Sequence, residues 1–452
     1  MTRSVLALFL LALAMPLVAQ ITFERTYGFS SAQCNSVVQT HDGGYAAVGD
    51  ISVSGNWNDI VLIRTDSYGD TIWTRTYGGP NYDRGIACRQ TADSGYVVVG
   101  CLYVTSDSSY DICLVKYDIE GNRRWARTYG GTDWDYGWAV EQTSDKGFII
   151  AGTTLSNGAD SHDIYLAKTD TSGYIQWAKT FGGSGVDWGS DVLQASDGGY
   201  LAVGYTESFG NGGEDAWLVR TDSAGEVLWT RTYGAELLDR ATSVTQTSGG
   251  GFVFTGITEY TGGPAGDVWL FEVDSAGDSV WARTFGGPNL DSGSDIVRTA
   301  DGGYAVTGWT WSFGTGQSDL WLVNTDQMGG LQWDTTFGDS WLDYGRSLQQ
   351  TGDDGYIVVG ETFPRGIWLI KTDPYGRVAV KEPQPPVVRE PAAATLLSHT
   401  ALLAELEENP DLTPFDASGR RVTNHQSAIT NLKSGVLFLR SPSSTRKVLV
   451  VR

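Results

Sequence analysis

The chain has 452 residues, with 58 Gly, 17 Trp and 21 Tyr, and a formal net charge of -22. So anionic a chain repels phosphate backbones and anionic lipid, which excludes nucleic acid and acidic membrane surfaces as expected partners. Frequent Gly beside Trp, Tyr, Val and Thr points to many short strands joined by tight turns.

The N-terminal stretch reads MTRSVLALFLLALAMPLVAQ. Arg3 supplies a positive start, residues 5–14 are apolar without interruption, and Ala19 offers a small residue before Gln20. This pattern predicts a secretory signal peptide over residues 1–19, because the run falls short of the ~20 apolar residues a membrane span needs. No transmembrane segment is expected once it is removed. Export would permit disulfides among Cys34, Cys88, Cys101 and Cys113. Their spacing fixes no pairing and matches no zinc site, and buried free thiols are the alternative.

From residue 20 the chain repeats itself. A Gly-Tyr or Gly-Phe step recurs at Tyr45, Tyr96, Phe148, Tyr200, Phe252, Tyr304 and Tyr356, at a first interval of 51 residues and then 52. A glycine follows four residues after each, from Gly49 to Gly360, and an aromatic marker recurs at Phe23, Trp73, Trp125, Trp177, Trp229, Trp281 and Trp333. Each copy holds four strand-like pieces; in the second these are GIACRQT, YVVVGCL, DICLVKYD and RRWARTY. No helical periodicity is present. Four strands repeated seven times predict an all-β fold, a seven-bladed β-propeller over residues 20–380 with a period of about 52 residues. The last copy lacks its Trp-bearing fourth strand, while a spare one, ITFERTYG, stands near Gln20. The strand from Ile21 to Tyr27 is therefore expected to pair with Ile367–Asp373 and close the ring.

The order of elements resembles that of WD-repeat propellers, with a glycine-bearing loop before the first strand. An aspartate opens the third strand at Asp59, Asp111, Asp163, Asp215, Asp267 and Asp319. The Gly-His and Trp-Asp signatures of that family are absent, and the period is nearer that of kelch repeats.

Residues 381–395, which include KEPQPPVVREP, form a Pro-rich, extended linker. Residues 396–452 carry FDASGRRV, LKSGVLFLR and a terminal TRKVLVVR. In that order they resemble the C-terminal sorting domain of type IX secretion substrates. The resemblance implies a small β-sandwich-like module, recognition by the type IX machinery, and release or display at the outer-membrane surface of a Gram-negative bacterium.

Catalytic signatures are scarce. The four histidines, His41, His162, His399 and His425, form no metal-ligand pair, and no nucleophile elbow or phosphate loop occurs. No cofactor or metal is expected. Asp133, Glu214, Glu236 and Glu259 break the seven-fold equivalence as a catalytic carboxylate must, yet nothing in the sequence pairs them. The aspartates opening Asp-x-x-Gly turns (Asp66, Asp118, Asp170, Asp222, Asp274, Asp326, Asp373) read as turn formers. Those after the YGG-type loop (Asp83, Asp135, Asp187, Asp239, Asp291, Asp343) read as loop caps, with calcium as the functional alternative.

The loops before the first and third strands are longer and more variable than the turns at the other end. They carry Trp57, Tyr82, Tyr110, Trp134, Tyr136, Trp188, Trp341 and Tyr344. Flat rings beside carboxylates suit sugar stacking, so these eight are the candidate ligand-binding residues of an extracellular module for polysaccharide or protein. A secreted carbohydrate-active enzyme of endoglucanase type and a purely structural surface protein remain the alternatives.

Overall fold

The computed structural model describes residues 20–28, 32–52, 57–106, 108–156, 161–259, 265–363 and 366–378, and the strands 395–398, 413–415, 435–441 and 444–451. The expected signal peptide, His399, His425 and nearly all of the expected linker lie outside the described residues. Contacts divide the chain into two units, residues 1–380 and 381–452. Among the described residues there is no helix, hence none long and apolar enough to cross a membrane.

The first unit is a seven-bladed β-propeller of four-stranded antiparallel blades. Blade I is typical: Gln33–Gln39 innermost, then Tyr45–Ser52, Asn58–Thr65 and the outer strand Thr71–Tyr77. The third strands are buried along their length, as in Asp163–Thr169 and Asp215–Thr221, because they pack against the neighbouring blade on each face. Each buried Val, Leu or Ile contributes about 1.5–3 kcal/mol, and the second strands, such as Phe148–Thr154, are buried as fully, so the two middle strands of each blade together hold most of the apolar core. The innermost strands touch in cyclic order around a central channel.

Blade VII is built from Asp343–Gln350, Tyr356–Thr362, Gly366–Thr372 and, as its outer strand, Phe23–Tyr27. The register pairs Phe23 with Lys371 and Tyr27 with Ile367. The expected closure is thus present, two residues shorter at its start.

The two sequence markers have distinct physical causes. The glycine of the second strand exists because the innermost strand comes too close for a side chain: a Cβ at Gly49 would lie 1.9 Å from the Gln33 carbonyl oxygen, and at Gly204 1.7 Å from that of Trp188. Opposite that glycine every innermost strand carries a bulge, such as the shift between Gly189 and Asp191. The outer-strand aromatic packs on the third-to-fourth-strand turn of the next blade. Gly69 sits on Phe23, Gly121 on Trp73, and so round the ring to Gly376 on Trp333. Those turn glycines have φ between 71° and 84° in all seven blades, and the turn aspartate accepts the backbone N–H groups two and four residues on, as Asp66 does from Tyr68 and Asp70. The Tyr27, Tyr129 and Tyr233 hydroxyls donate to the carbonyls of Gly69, Gly173 and Gly277 at 2.6, 2.7 and 2.5 Å. Arg75, Arg127, Arg231 and Arg283 lie over Trp73, Trp125, Trp229 and Trp281 at 5.1–5.9 Å.

At the same end, a second set of contacts holds the turn between the first two strands. In five blades the third strand sends a buried cation to an aspartate of this turn. The pairs are Arg64–Asp42, Lys116–Asp93, Lys168–Asp145, Arg220–Asp197 and Lys371–Asp353. Each cation also donates to a backbone carbonyl of its own strand end, for example Lys168 to Thr169 at 2.8 Å.

All four cysteines are free and buried, and burial pushes the Cys88 thiol to about 11 and the Cys101 thiol to about 12. His41 is an exposed turn residue.

The second unit contains one sheet in the order Thr395–Ser398, Ser444–Val451, Gly435–Ser441, Thr413–Phe415, with the first pair parallel and the others antiparallel.

Candidate functional site

The loops before the innermost and third strands do meet at one end of the ring. Backbone hydrogen bonds tie one to the other: Asp83 N–H to the Asn58 carbonyl at 2.7 Å, Asp187 to His162 at 2.6 Å, Asp239 to Glu214 at 2.7 Å and Asp291 to Gly266 at 2.8 Å. In blades II to VII an aspartate at the start of the innermost strand folds back onto its loop; blade I has Ala32 there. Asp187, Asp239 and Asp291 accept from the backbone N–H of Gly183, Ala235 and Gly287, four residues earlier, and from the hydroxyls of Thr206, Thr258 and Thr310. These carboxylates are spent on capping. Among the described residues no three His, Cys, Asp or Glu side chains converge as metal ligands would.

Four of the eight candidate residues come together. Tyr110 stacks on Tyr136 at 5.8 Å, Trp134 meets both edge-on at 5.8 and 6.3 Å, and Tyr136 stacks on Trp188 at 6.5 Å. The row continues through residues that were not among the eight. Tyr103 packs on Tyr110, Trp138 and His162 on Trp188, and Tyr205 lies parallel to Trp188 at 6.1 Å with an interplanar angle of 7°. It ends where Arg240 covers Tyr205 at 4.5 Å and forms an ion pair with Glu214. The ladder thus crosses blades II, III and IV and reaches V.

The other four lie apart. Trp57 is 67% exposed. Tyr82 is half-buried, and burial raises its hydroxyl above the usual tyrosine range. Trp341 packs against Phe363 at 6.5 Å, and Tyr344 packs against Trp309 at 5.9 Å beneath Arg346.

The expectation that all eight stand in loops needs correction. Tyr110, Tyr136, Trp188 and Tyr344 are strand residues, paired with Tyr103, Thr153, Tyr205 and Glu361. In blades III, IV and VII the capping aspartate is the first residue of the innermost strand, so Tyr136, Trp188 and Tyr344 after it are already hydrogen-bonded strand residues, while Tyr110 belongs to a third strand whose hairpin with the second runs on to Val104 and Ser109. Trp134, by contrast, stands before its strand and is 47% exposed.

Below this mouth, a channel cavity of 230 Å³ is lined by bulge residues, including Asn35, Trp138, Ser190 and Arg346, and by the residues that follow them. At the position after the bulge the seven blades carry Ser36, Ala87, Ala139, Asp191, Ser243, Asp295 and Ser347. Asp191 and Asp295 break the symmetry on either side of Ser243, whose hydroxyl lies 2.9 Å from each carboxylate. One hydroxyl carries one proton, so it donates to one carboxyl and accepts from the other when that one is protonated. Burial pushes Asp191 up to about 6, with Arg89 opposing and Asp295 reinforcing the shift. Both side chains also staple the next blade, Asp191 accepting from Val244 N–H and Asp295 from Leu348 N–H at 3.0 Å. This pair was missed because it shows only when the innermost strands are aligned through their bulges. Of the carboxylates that the sequence did flag, Glu214 is held by Arg240, and Asp133 and Glu236 are exposed.

No family model matches the chain. One curated relative, the regulatory protein FlaEY of Caulobacter vibrioides, is 26% identical over 159 residues, which cover 30% of this chain and 17% of FlaEY. The match thus spans under a fifth of that protein's length. Among solved structures, the chain is similar to the WD40 domain of Neurospora crassa Pan2, with a TM-score of 0.47 and 10% identity over 78% of this chain and 92% of that one. It is also similar to the propeller domain of the Trilobed protease from Pyrococcus furiosus, at 0.46 and 11% over 80% and 99%. PorZ, a surface component of the Porphyromonas gingivalis type IX secretion system, gives 0.43 and 12% over 91% and 58%.

Proposed function

We propose that this protein is an exported binding module, secreted or held at the outer-membrane surface, whose propeller takes an extracellular polysaccharide across the aromatic ladder. The observation that carries this reading is the row of rings from Tyr103 to Tyr205 at the channel mouth. It is flanked by Arg240 and Glu214, which supply hydrogen-bond donors and acceptors for sugar hydroxyls. Trp134 is the probe for it, because its ring is half exposed, whereas Trp188 also supports Trp138 and Tyr205. In affinity electrophoresis against a panel of soluble glycans, Trp134→Ala is expected to weaken retardation about tenfold with an unchanged melting temperature. Retardation unaffected by Trp134→Ala, or absent with every glycan, would overturn the reading.

The second unit is proposed to be the type IX sorting signal that delivers the propeller. In a host with that machinery, a truncation after Val380 should accumulate in the periplasm. Normal surface delivery of the truncated chain would end this part of the proposal.

A secreted hydrolase is the second reading, and Asp191 with Asp295 is the observation that favours it. Two carboxyl groups bridged by one serine at 2.9 Å on each side are close enough for a retaining pair. Their commitment to backbone N–H groups of the next blade argues for stapling instead. Release of reducing sugar by the mature chain that disappears in Asp295→Ser would reverse that order.

A further inference from the structure

The buried cation of the third strand is present in five blades and absent in two, and the two absences differ. In blade V both partners have changed: Glu272 stands at the cation position, and Gly249 where the turn aspartate would be. In blade VI only one has changed. Asp301 keeps the place of Asp42, Asp93, Asp145, Asp197 and Asp353, but Asn324 stands where the others have Arg or Lys.

Asn324 makes part of the contact set of its counterparts. It donates to the Tyr356 hydroxyl at 2.9 Å, as Arg64 Nε donates to the Tyr96 hydroxyl at the equivalent junction. It does not reach the carboxylate. Glycine Cβ positions locate the missing group. A Cβ at Gly95, Gly147 or Gly355 would lie 2.5 Å from a lysine Nζ, and at Gly44 or Gly199 equally close to an arginine Nη. At the equivalent Gly303 the same carbonyl is there, Thr325 O at 2.1 Å, but no third-strand lysine or arginine nitrogen is among the nearest atoms; the exposed Arg298 at the start of the turn comes only within 3.7 Å of a Cβ at Gly302. An open cavity of 560 Å³ occupies this junction, lined by Asp301, Asn324, Trp333, Asp354, Tyr356 and Tyr375 among others. Carboxylates and aromatic faces together are the surroundings that hold an organic cation.

We propose that the junction between blades VI and VII binds an alkylammonium or alkylguanidinium group, a lysine or arginine side chain supplied from outside the ring. The other blades show how it would be held: nitrogen between the Asp301 carboxylate and the Thr325 carbonyl, with its alkyl stem along Trp333 and Tyr356. The site lies at the end of the propeller opposite the aromatic ladder, and it is independent of the polysaccharide reading.

The test titrates the full mature chain with Nα-acetyl-lysine methylamide, following tryptophan fluorescence and amide shifts, with the Nζ-acetylated compound as neutral control. Saturable binding of the charged probe and none of the neutral one is expected. Free n-butylamine binding as well as the amino-acid probe would show that the ammonium group alone is recognised, still within the proposal. Asn324→Lys supplies the cation from within and should abolish binding while keeping or raising the melting temperature. Asp301→Asn, which keeps the exposed turn, should weaken binding about tenfold. Equal binding of charged and neutral probes, undiminished binding to Asn324→Lys and Asp301→Asn, or no binding to the natural chain would each refute the site.

Discussion

The two ends of the ring follow different rules. At the turn end the same devices recur blade after blade: Asp-x-x-Gly turns, a glycine on the neighbour's aromatic ring, and a cation reaching an aspartate. At the mouth end the capping aspartates recur but the aromatic residues do not, and the ladder belongs to blades II, III and IV with Arg240 of blade V. Repetition gives a local standard of comparison. A departure such as Asn324 can be read against five intact copies, so the regular end yields the sharper inference although the irregular end looks more like a binding face.

The largest effect is expected from breaking what both ends depend on. Deleting residues 20–28 removes the outer strand of blade VII and the Phe23 ring under Gly69. Thermal unfolding should fall by many degrees or the chain should fail to fold; an unchanged melting temperature would show that the ring does not need this strand.

The next test separates the channel from the turns by pH. Asp191 has a folded-state value of about 6 against about 4 in an unfolded chain. Between these values the native protein holds a proton that the unfolded chain has lost, so stability should fall as pH rises from 4 to 6 and stay level above. The penalty is at most about 3 kcal/mol. In Asp191→Ser, which copies Ser243, this slope should become shallower, the remainder belonging to other carboxyls that burial also raises, Glu141, Asp50 and Asp239 among them. The turn aspartates behave oppositely. Asp145, for which hydrogen bonds from Thr143 and Lys168 outweigh the raising effect of burial, is held down at about 2. Its contribution is complete above pH 4 and disappears as pH falls through 2. Urea midpoints measured across pH 2–7 read both limbs; a slope undiminished in Asp191→Ser would clear Asp191 of any part in it.

The smallest effect sharpens the account of the turns alone. Ser94, Lys146 and Asp354 take φ of 62°, 70° and 62° where other blades have Gly43, Gly198, Gly250 and Gly302. Ser94→Gly and Asp354→Gly should each stabilise by about 1 kcal/mol, read as a rise in melting temperature. A fall would mean that the side chains contribute more than the backbone strain costs.

Much of this was legible in the sequence. The blade count, the spare N-terminal strand and the turn aspartates follow from spacing, because each is fixed by local backbone geometry. The ladder was legible in part. Trp134 and Tyr136 signal themselves by type, but Tyr103 and Tyr205 join only because strand pairing places them beside Tyr110 and Trp188. Asp191 and Asp295 were hidden by the bulge, which shifts the alternation of facing residues by one. Asn324 was in plain view, yet its meaning required knowing that the third strand ends against the turn holding Asp301.

Closing the ring with residues 23–27 has a consequence for the order of events in folding. Tyr27 meets Ile367 across 340 positions of chain. Joining ends so far apart costs about 4 kcal/mol more in chain entropy than closing a four-residue turn. The strand that comes first in the order of the ring is therefore used last, after six blades have formed by local hairpins and drawn the two partners together. During synthesis this strand stays unmatched until Gly366–Thr372 has emerged, and during that interval it is open to pairing with another copy of the chain.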